Sequence, residues 1–154
     1  MSEQQKIQLA QQTYAAFGTG DFASLLELIA EDVEWYLSGS EYISHTGTYR
    51  GRDKVFQVFK YVGETLELHK FEPLEFIAQG DQVVVIGHAL GRIRPTNRTV
   101  AYDWIHVFTF RDSKIVKFRD YFDTAVIAEG YRGAKTKSFA ELVAESEEFV
   151  SAST

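Results

Sequence analysis

The sequence predicts a single compact α+β domain that curls a strongly bent, mostly antiparallel sheet around an apolar pocket. Its 154 residues fit one domain. Apolar residues recur at helical spacing early in the chain, whereas residues 67–122 show alternating polarity and turn signals. Helices gathered first and strands gathered last are typical of α+β proteins rather than of a parallel βαβ fold. An aromatic content of 14% favours a roomy, aromatic-lined interior.

Two amphipathic helices are predicted at the start of the chain. The first ends at Gly18 and Gly20, and its apolar positions are Ile7, Ala10, Tyr14 and Phe17. Asp21 is expected to cap the second helix. The buried stripe of that helix is predicted to be Phe22, Leu25, Leu26 and Ile29. Residues 33–37 then alternate in polarity, which predicts a short strand.

Residues 38–51 are rich in Ser, Gly and Thr, which predicts an irregular loop that leads to a short extended piece. A third helix follows, with Asp53 as its expected cap. Its predicted apolar face consists of Val55, Phe56, Phe59, Val62 and Leu66. Four strands complete the sheet as a meander, at residues 67–78, 82–94, 99–111 and 114–122.

The C-terminal part of the chain is predicted to form a short helix after Asp123 and then a tail. Gly130 and Gly133 break the chain, so we expect a domain over residues 1–133 and a tail over 134–154. Ser138 and Glu141 form a capping box for a tail helix. Its apolar face would be Phe139, Leu142, Val143, Phe149 and Val150. Such a helix is expected to dock on the domain or on a second subunit, whereas an extended, exposed helix would favour a protein partner.

Charge and composition exclude several classes of partner and chemistry. A net charge of −6 argues against nucleic acid, whose binding rests on clustered Lys and Arg. No apolar stretch reaches membrane-spanning length and the start lacks a signal-peptide pattern, so we expect no membrane partner and a cytoplasmic location. The chain has no Cys, and its four His residues lack paired ligand spacing. No metal, nucleotide or other cofactor is expected, since the common binding motifs are also missing.

The one basic cluster surrounds a predicted hairpin tip. Arg92, Arg94 and Arg98 flank the turn-forming residues 95–97. Such a cluster fits either a solvated turn or an anion site.

Two neighbouring strands each carry an apolar face with one titratable residue. The even positions of the first are Tyr102, Trp104, His106, Phe108 and Phe110. The even positions of the second are Val116, Phe118, Asp120 and Phe122. The two faces coincide if a three-residue loop at 112–114 joins the strands, whereas a two-residue loop would misalign them. That register pairs Trp104 with Phe122, Phe108 with Phe118, and His106 with Asp120.

Asp120 and His106 are therefore the candidate catalytic residues. Burial raises the pKa of a carboxyl and a neighbouring imidazolium lowers it, and such opposing effects suit proton transfer. The other interpretation is a buried pair that only fixes the register. The aromatic surroundings favour a site for a small apolar molecule. Its expected lining residues are Tyr14, Trp35, Phe59, Trp104, Phe108, Phe118 and Phe122.

The strand before this hairpin alternates small and large residues. If Gly87, Ala89 and Gly91 face inward, they leave empty volume beside Trp104 and His106. The outer face then carries Ile86, His88, Leu90, Ile105 and Val107. An apolar outer face needs a cover, and we expect a homodimer through it. His88 is then an interface or surface residue, and His45 and His69, in loop or strand-edge positions, are not expected to act in catalysis.

Four segments resemble a known family: YAAFGTGD at 14–21, LLELIAEDVEW at 25–35, GTYRGRDKV at 47–55 and IHVFTFRDSKIVKFRDYFD at 105–123. They are similar to the SnoaL-like proteins of the nuclear-transport-factor-2-like (NTF2-like) group, and the resemblance covers roughly residues 5–130. The group includes polyketide cyclases, limonene epoxide hydrolase and ketosteroid isomerase. The resemblance implies the cone fold, in which a curved sheet wraps around N-terminal helices.

The resemblance also implies roles for individual residues. Asp120 matches the catalytic aspartate of the cyclases and of the epoxide hydrolase, and His106 matches a pocket histidine of the cyclase. Gly87 and Ala89 stand where the hydrolase has an Arg and an Asp. The isomerase base and its two oxyanion donors correspond to Leu37, Thr13 and His106, with Tyr14 one residue away from the Thr13 position.

These matches favour an acid–base enzyme of the cyclase or isomerase kind over an epoxide hydrolase. The alternative is a ligand-binding or dimerisation module without enzymatic activity.

Overall fold

The computed structural model of the chain describes residues 1–134, 143–145 and 147. Its helices are α1 (Glu3–Thr19), α2 (Phe22–Glu27), α3 (Arg52–Thr65) and α4 (Thr124–Tyr131). Its strands are β1 (Ile29–Leu37), β2 (Gly47–Arg50), β3 (Leu66–Gln79), β4 (Gln82–Ile93), β5 (Arg98–Arg111) and β6 (Lys114–Phe122). The predicted order of elements is therefore confirmed over this part of the chain.

The strands form one curled sheet in the order β2-β1-β6-β5-β4-β3. Neighbouring strands are antiparallel except β1 and β6, which run parallel. Register shifts interrupt the β3–β4 and β5–β6 pairings, and such bulges bend strands and increase their twist. Helices α1 and α3 pack against the sheet. The predicted α+β class with a curved, mostly antiparallel sheet is confirmed.

The first two helices begin and end at the residues that favour these positions. Ser2 caps α1 in a capping box with Gln5. The helix ends at Gly20, whose φ of 70° is a left-handed conformation that glycine adopts without strain. Asp21 caps α2 as predicted, because its carboxylate accepts a hydrogen bond from the backbone N–H of Ser24 at 3.1 Å.

The connection from α2 to the sheet is tighter than predicted. Strand β1 begins at Ile29 rather than at residue 33, so Ile29 belongs to the sheet and not to the stripe of α2. Phe22, also predicted in that stripe, is exposed, and Leu25 is the buried residue of the helix. The helix has only six residues, so a single turn of it, at Leu25, is buried and Phe22 lies outside that turn.

The start and the buried face of α3 differ from the prediction. Gly51, with φ of 88°, is the N-cap and no side chain caps the helix. Asp53 lies inside the first turn, where a carboxylate favours the helix through its dipole instead. Phe56 of the predicted apolar face is exposed. The buried residues are Val55, Val58, Tyr61 and Thr65.

The turn between β5 and β6 is shorter than predicted. Asp112 and Ser113 form a two-residue turn, and both have positive φ, 51° and 63°. Type I′ turns require this conformation at both central residues, and their twist matches that of the flanking strands. The predicted three-residue loop is therefore wrong, because Lys114 already belongs to β6.

A bulge in β6 nevertheless restores the predicted register. Phe110 pairs with Ile115 beside the turn, whereas Thr109 pairs with Lys117, so Val116 is an extra residue. Ile115 is consequently buried, and Val116, predicted on the inner face, is only half-buried. Beyond the bulge the three predicted pairs are all present: Trp104–Phe122, His106–Asp120 and Phe108–Phe118.

The small residues of β4 face the inner side of the sheet, as predicted. They do not leave the expected empty volume beside Trp104. Gly87 is the direct neighbour of Trp104 in the ladder. A Cβ atom at Gly87 would lie 2.5 Å from Trp104 Cε2 and from the carbonyl oxygen of Glu72. The indole therefore rests on the glycine and fills this space.

The arginines near the turn before β5 contact protein groups. Arg92 Nε lies 2.8 Å from a carboxylate oxygen of Glu67. Arg98 donates hydrogen bonds to the carbonyl oxygens of Glu129 and Arg132, at 2.8 and 2.6 Å, near the end of α4. A cation at this end of a helix is favourable to the helix dipole. These contacts favour a structural role for the basic cluster over an anion site.

The predicted tail helix lies mostly outside the described residues. Its capping box at Ser138 and Glu141 falls there, as do Phe139, Leu142, Phe149 and Val150. Val143 is described, and it is half-buried against the core. In the described part of the chain, no helix is long and apolar enough to cross a membrane.

Candidate functional site

The inner face of the sheet and helices α1 and α3 enclose a cavity of about 280 Å³. This volume lies just below the roughly 300–1,000 Å³ of typical small-molecule pockets. Its walls are mainly apolar and aromatic. All the residues predicted to line a pocket lie on it: Tyr14, Trp35, Phe59, Trp104, Phe108, Phe118 and Phe122. His106 and Asp120 lie on the same wall, on neighbouring strands.

Aromatic rings pack in layers around the cavity and fix its shape. Trp35 stacks on Phe118 with ring centroids 3.9 Å apart, and Phe59 meets Trp35 edge to face at 5.0 Å. On the other side, Trp104 stacks on His106 at 4.0 Å. Such pairs add to the stability gained from burial alone. The imidazole of His106 is thus held in place by packing as well as by its hydrogen bond with Tyr14.

Tyr14, His106 and Asp120 form a polar array inside this aromatic wall. The hydroxyl of Tyr14 lies 2.8 Å from Nδ1 of His106. Nε2 on the opposite side of the same ring lies 3.2 Å from Oδ1 of Asp120. Helix α1 supplies the tyrosine, and the paired strands β5 and β6 supply the other two residues. The contact from Tyr14 to His106 joins the helix layer to the sheet.

The environment of Tyr14 determines the protonation of its phenol. Burial, and next the negative charge of Asp120, raise the pKa of the Tyr14 phenol far above its ordinary value. The phenol therefore keeps its proton at neutral pH, and its hydroxyl is able to donate a hydrogen bond to Nδ1 of His106.

The two carboxylate oxygens of Asp120 have different surroundings. Oδ1 is buried and makes no aligned hydrogen bond, although it is at ion-pair distance from His106 Nε2. Oδ2 is not enclosed in this way, and the side chain keeps 22% of its surface exposed. Because Asp120 lines the cavity, the free oxygen is available to a bound molecule. A carboxylate with one accessible oxygen is suited to accept a proton.

Two residues bear on the family resemblance. Leu37, which the resemblance places at the position of the isomerase base, is an apolar lining residue directly beside Asp120 in the parallel β1–β6 pair. The hydroxyl of Thr13 donates to the carbonyl oxygen of Leu9 at 2.9 Å, so its proton is used within its own helix. Separately, the buried N–H of Trp104 has no hydrogen-bond partner among the described residues.

His45 is a cavity residue that the sequence did not indicate. It lies in the irregular loop between β1 and β2, yet it is only 6% exposed and lines the cavity. Burial lowers the pKa of His45 to about 4, although the charge of Asp120 acts in the opposite direction. Periodicity carries no information in such a loop, so the burial of His45 had no sequence signal. His69 and His88 lie elsewhere, beside Glu67 and Asp103.

The described residues contain no group of three or more His, Cys, Asp or Glu side chains that could hold a metal ion.

Comparisons with known proteins agree with this geometry. The chain matches the model of the SnoaL-like domain over residues 10–118. No curated protein matches the chain. The crystal structure of an NTF2-like protein from Burkholderia xenovorans LB400 shares 38% sequence identity with it, at a TM-score of 0.78. That likeness covers 86% of this chain and 99% of the other.

Two further structures are similar. TerC, co-crystallised with polyporic acid, shares 30% identity at a TM-score of 0.72, over 83% of this chain and 98% of its own. A protein from Mesorhizobium loti, proposed to be a SnoaL-like polyketide cyclase, shares 21% identity at a TM-score of 0.64. The likeness covers 75% of this chain and 97% of the other. The second likeness is evidence of fold alone. The chain therefore belongs to the SnoaL-like domain family and has the NTF2-like cone fold.

Proposed function

We propose that the protein binds a compact apolar molecule in its cavity and that Asp120, together with His106, moves a proton on that molecule. The observation that carries the proposal is the accessible carboxylate oxygen of Asp120 on an aromatic wall. Chemistry of the cyclase or isomerase kind, on a ligand with a carbonyl group, ranks above epoxide hydrolysis. Gly87 and Ala89, where the epoxide hydrolase has its Arg and Asp, offer no polar side chains.

The similarity to TerC supports the binding part of this proposal. TerC was co-crystallised with polyporic acid and shares 30% identity with this chain. A cavity of about 280 Å³ with mainly apolar walls suits a molecule of one or a few rings. The rings of Phe17 and Phe22 belong to its lining and are themselves exposed to solvent.

The proposed step begins with Asp120 as a base. Oδ2 takes a proton from the carbon next to a ligand carbonyl; the C–H electron pair becomes the C=C bond of an enolate, and the C=O π pair moves onto the carbonyl oxygen. In a ligand with a C=C bond conjugated to the enolate, the carboxylic acid returns the proton to the far carbon, which is isomerisation. In a ligand with a second carbonyl, the enolate carbon attacks that carbonyl carbon and the resulting alkoxide takes the proton from Asp120, which is cyclisation. His106 Nε2 lies at ion-pair distance from Oδ1, 3.2 Å away, and holds the carboxylate so that Oδ2 is left for the ligand.

Deuterium exchange into a small enolisable ketone tests this step. The probe is 2-tetralone in D₂O, followed by proton NMR with the wild type and with Asp120→Asn. We expect the wild type to accelerate exchange and the variant to fall at least about a hundredfold, since general-base catalysis contributes roughly 10²–10⁴ in rate. The variant should still bind the ketone.

Asp112→Asn is the matched control. It makes the same change in the turn at the far end of the same hairpin, where Asn also tolerates positive φ. Exchange at the buffer rate with the wild type, or equal exchange with Asp120→Asn, would contradict the assignment of Asp120.

A binding module without catalysis is the second candidate function. The observation in its favour is that Leu37 and Thr13 offer no free polar group beside Asp120. In that case 2-tetralone would raise the melting temperature of the wild type without any accelerated exchange.

We also propose a homodimer through the outer face of the sheet. Ile86, Ile105 and Tyr121 are direct neighbours across β4, β5 and β6 and form an apolar row on that face. Ile105 is 40% exposed, and the ring of Tyr36 extends the row 5.8 Å beyond Tyr121. A second copy of the chain offers the same row and would cover it, as in a two-fold symmetric interface.

A further inference from the structure

We propose that His45 is a ligand-binding residue whose neutral imidazole donates a hydrogen bond from Nε2 to an oxygen atom of the ligand. This inference rests on the proposed function, because the ligand is the same molecule from which Asp120 removes a proton. His45 binds an oxygen atom of that molecule. His45 would thereby polarise the carbonyl group from which Asp120 removes a proton.

The position of His45 is fixed by its surroundings. The ring lies between two aromatic residues, with centroids 6.4 Å from Phe122 and 6.1 Å from Tyr131. Its backbone carbonyl accepts a hydrogen bond from the Tyr49 hydroxyl at 2.8 Å. The ring contacts and the backbone hydrogen bond together hold this loop residue in place. The ring is therefore preorganised rather than free to turn into solvent.

The two ring nitrogens of His45 are placed differently. Nδ1 is fully buried and has no hydrogen-bond partner in the described residues. Nε2 is not enclosed in this way, and the residue lines the cavity. A buried N–H without a partner is costly, and a lone pair is better tolerated there than a proton. The ring proton is accordingly favoured on Nε2, the nitrogen that a ligand is able to reach.

The ring also stays neutral. Burial holds the pKa of His45 near 4, so the imidazolium is not formed at neutral pH. A neutral imidazole is a suitable hydrogen-bond donor to a carbonyl oxygen that becomes negative. It polarises the carbonyl without giving up its own proton, because its acidity is far lower than that of an imidazolium.

The resulting step balances in atoms and charge. Asp120 Oδ2 takes the proton from the carbon next to the carbonyl, the C–H bonding pair becomes the C=C π bond of the enolate, and the C=O π pair moves onto the oxygen, which becomes negative. His45 Nε2–H remains bonded to nitrogen and strengthens its hydrogen bond to that oxygen. When Asp120 returns the proton to carbon, the carbonyl is restored and His45 is unchanged.

Two variants separate the donor from the ring. His45→Phe keeps an aromatic ring between Phe122 and Tyr131 but removes both nitrogens, whereas His45→Gln keeps an N–H donor at the end of the side chain. The ligands are also a matched pair, since 2-tetralone has the carbonyl oxygen and tetralin has none. Binding is measured by calorimetry, and exchange of 2-tetralone in D₂O is measured by NMR.

We expect His45→Phe to weaken 2-tetralone binding about tenfold, which corresponds to one lost hydrogen bond, and to change tetralin binding less than twofold. Exchange should fall about a hundredfold, as when one donor to an oxyanion is removed. His45→Gln should retain much of both properties.

Other outcomes would overturn the inference. An equal loss for both ligands means that His45 only packs, and no change for either means that it makes no ligand contact. If Asp120-dependent exchange persists unchanged in His45→Phe, the proposed function stands and the role of His45 falls. If the wild type binds neither ligand, the proposed function fails and the role of His45 fails with it.

Discussion

At the scale of single residues, the cavity lining holds two titratable groups in different environments. Asp120 keeps one accessible carboxylate oxygen and lies next to His106. His45 is only 6% exposed, and burial keeps its imidazole neutral. With Asp120 as the proposed base, His45 would be the neutral donor that removal of a proton next to a carbonyl also requires.

The neutrality of His45 leads to a prediction about stability and pH. The folded state keeps this imidazole unprotonated down to about pH 4, whereas the unfolded chain takes up the proton near pH 6.5. Proton uptake by the unfolded state alone lowers the free energy of unfolding as the pH falls through this window. Between pH 7 and pH 5 the wild type should therefore lose about 2 kcal/mol more than His45→Gln, which does not titrate.

Urea denaturation of both proteins at the two pH values measures this difference. All other titrating groups are common to the two proteins and cancel in the comparison. Equal losses for the wild type and His45→Gln would mean that the folded protein accepts a proton on His45.

Sequence reasoning found the strand residues of the site and missed the loop residue. His106 and Asp120 could be paired because alternation along two strands specifies which side chains share a face. The hydrogen bond from Tyr14 to His106 could not be predicted, because it depends on how α1 packs across β5. His45 lies in a segment without periodicity, and its burial results from tertiary contacts with Phe122 and Tyr131.

At the scale of elements, the β5–β6 hairpin combines a short turn with a bulge. The register was predictable because the two inner faces have to coincide, whatever the loop length. The bulge that produces this register could not be predicted, since Ile115 and Val116 are both β-branched and either one suits a buried position. The turn at Asp112 and Ser113 shifts the pairing by one residue, and the extra residue Val116 shifts it back.

Deletion of Val116 tests this compensation. Without Val116, Lys117 follows Ile115 directly and still pairs with Thr109, so the two-residue turn and the His106–Asp120 pair both remain and only the bulge is lost. We expect this deletion variant to fold, since Val116 is an unpaired, half-buried residue. Deletion of the paired residue Arg119 is the matched control, because it moves Asp120 opposite Val107 on the outer face and should abolish stable folding.

Circular dichroism and urea denaturation of the two variants measure the effect. If the Val116 deletion is as unstable as the Arg119 deletion, Val116 is not the extra residue of this ladder.

The contact between β4 and β5 at Gly87 gives a second test at this scale. A Cβ atom there would meet Trp104 and the Glu72 carbonyl at 2.5 Å, and the backbone atom cannot give way cheaply. Gly87→Ala should therefore cost about 3 kcal/mol of stability through overpacking. The matched control is Gly63→Ala in α3, where nothing lies within 4 Å, and it should be neutral or stabilising by up to about 1 kcal/mol.

Chemical denaturation compares the two alanine variants with the wild type. A fully stable Gly87→Ala protein would show that Trp104 does not rest on β4 in solution.

At the scale of the whole molecule, the two faces of the sheet have different surroundings. The inner face and the helices enclose the cavity, and the exposed rings of Phe17 and Phe22 belong to its lining. The outer face carries the apolar row of Ile86, Ile105 and Tyr121. A partner on the outer face would not touch the cavity lining, so the proposed assembly and the proposed ligand binding need not compete.

Replacement of Ile105 by Glu tests the assembly independently of the cavity. The wild type should sediment as a dimer at micromolar concentration, whereas Ile105→Glu should sediment as a monomer, because a charge in the middle of an apolar interface is left without a partner. Tyr42→Glu is the control, since Tyr42 is exposed in the loop before β2. Both variants should bind 2-tetralone like the wild type. A monomeric wild type would remove the dimer while leaving the cavity proposal intact, because Ile105 faces away from the cavity.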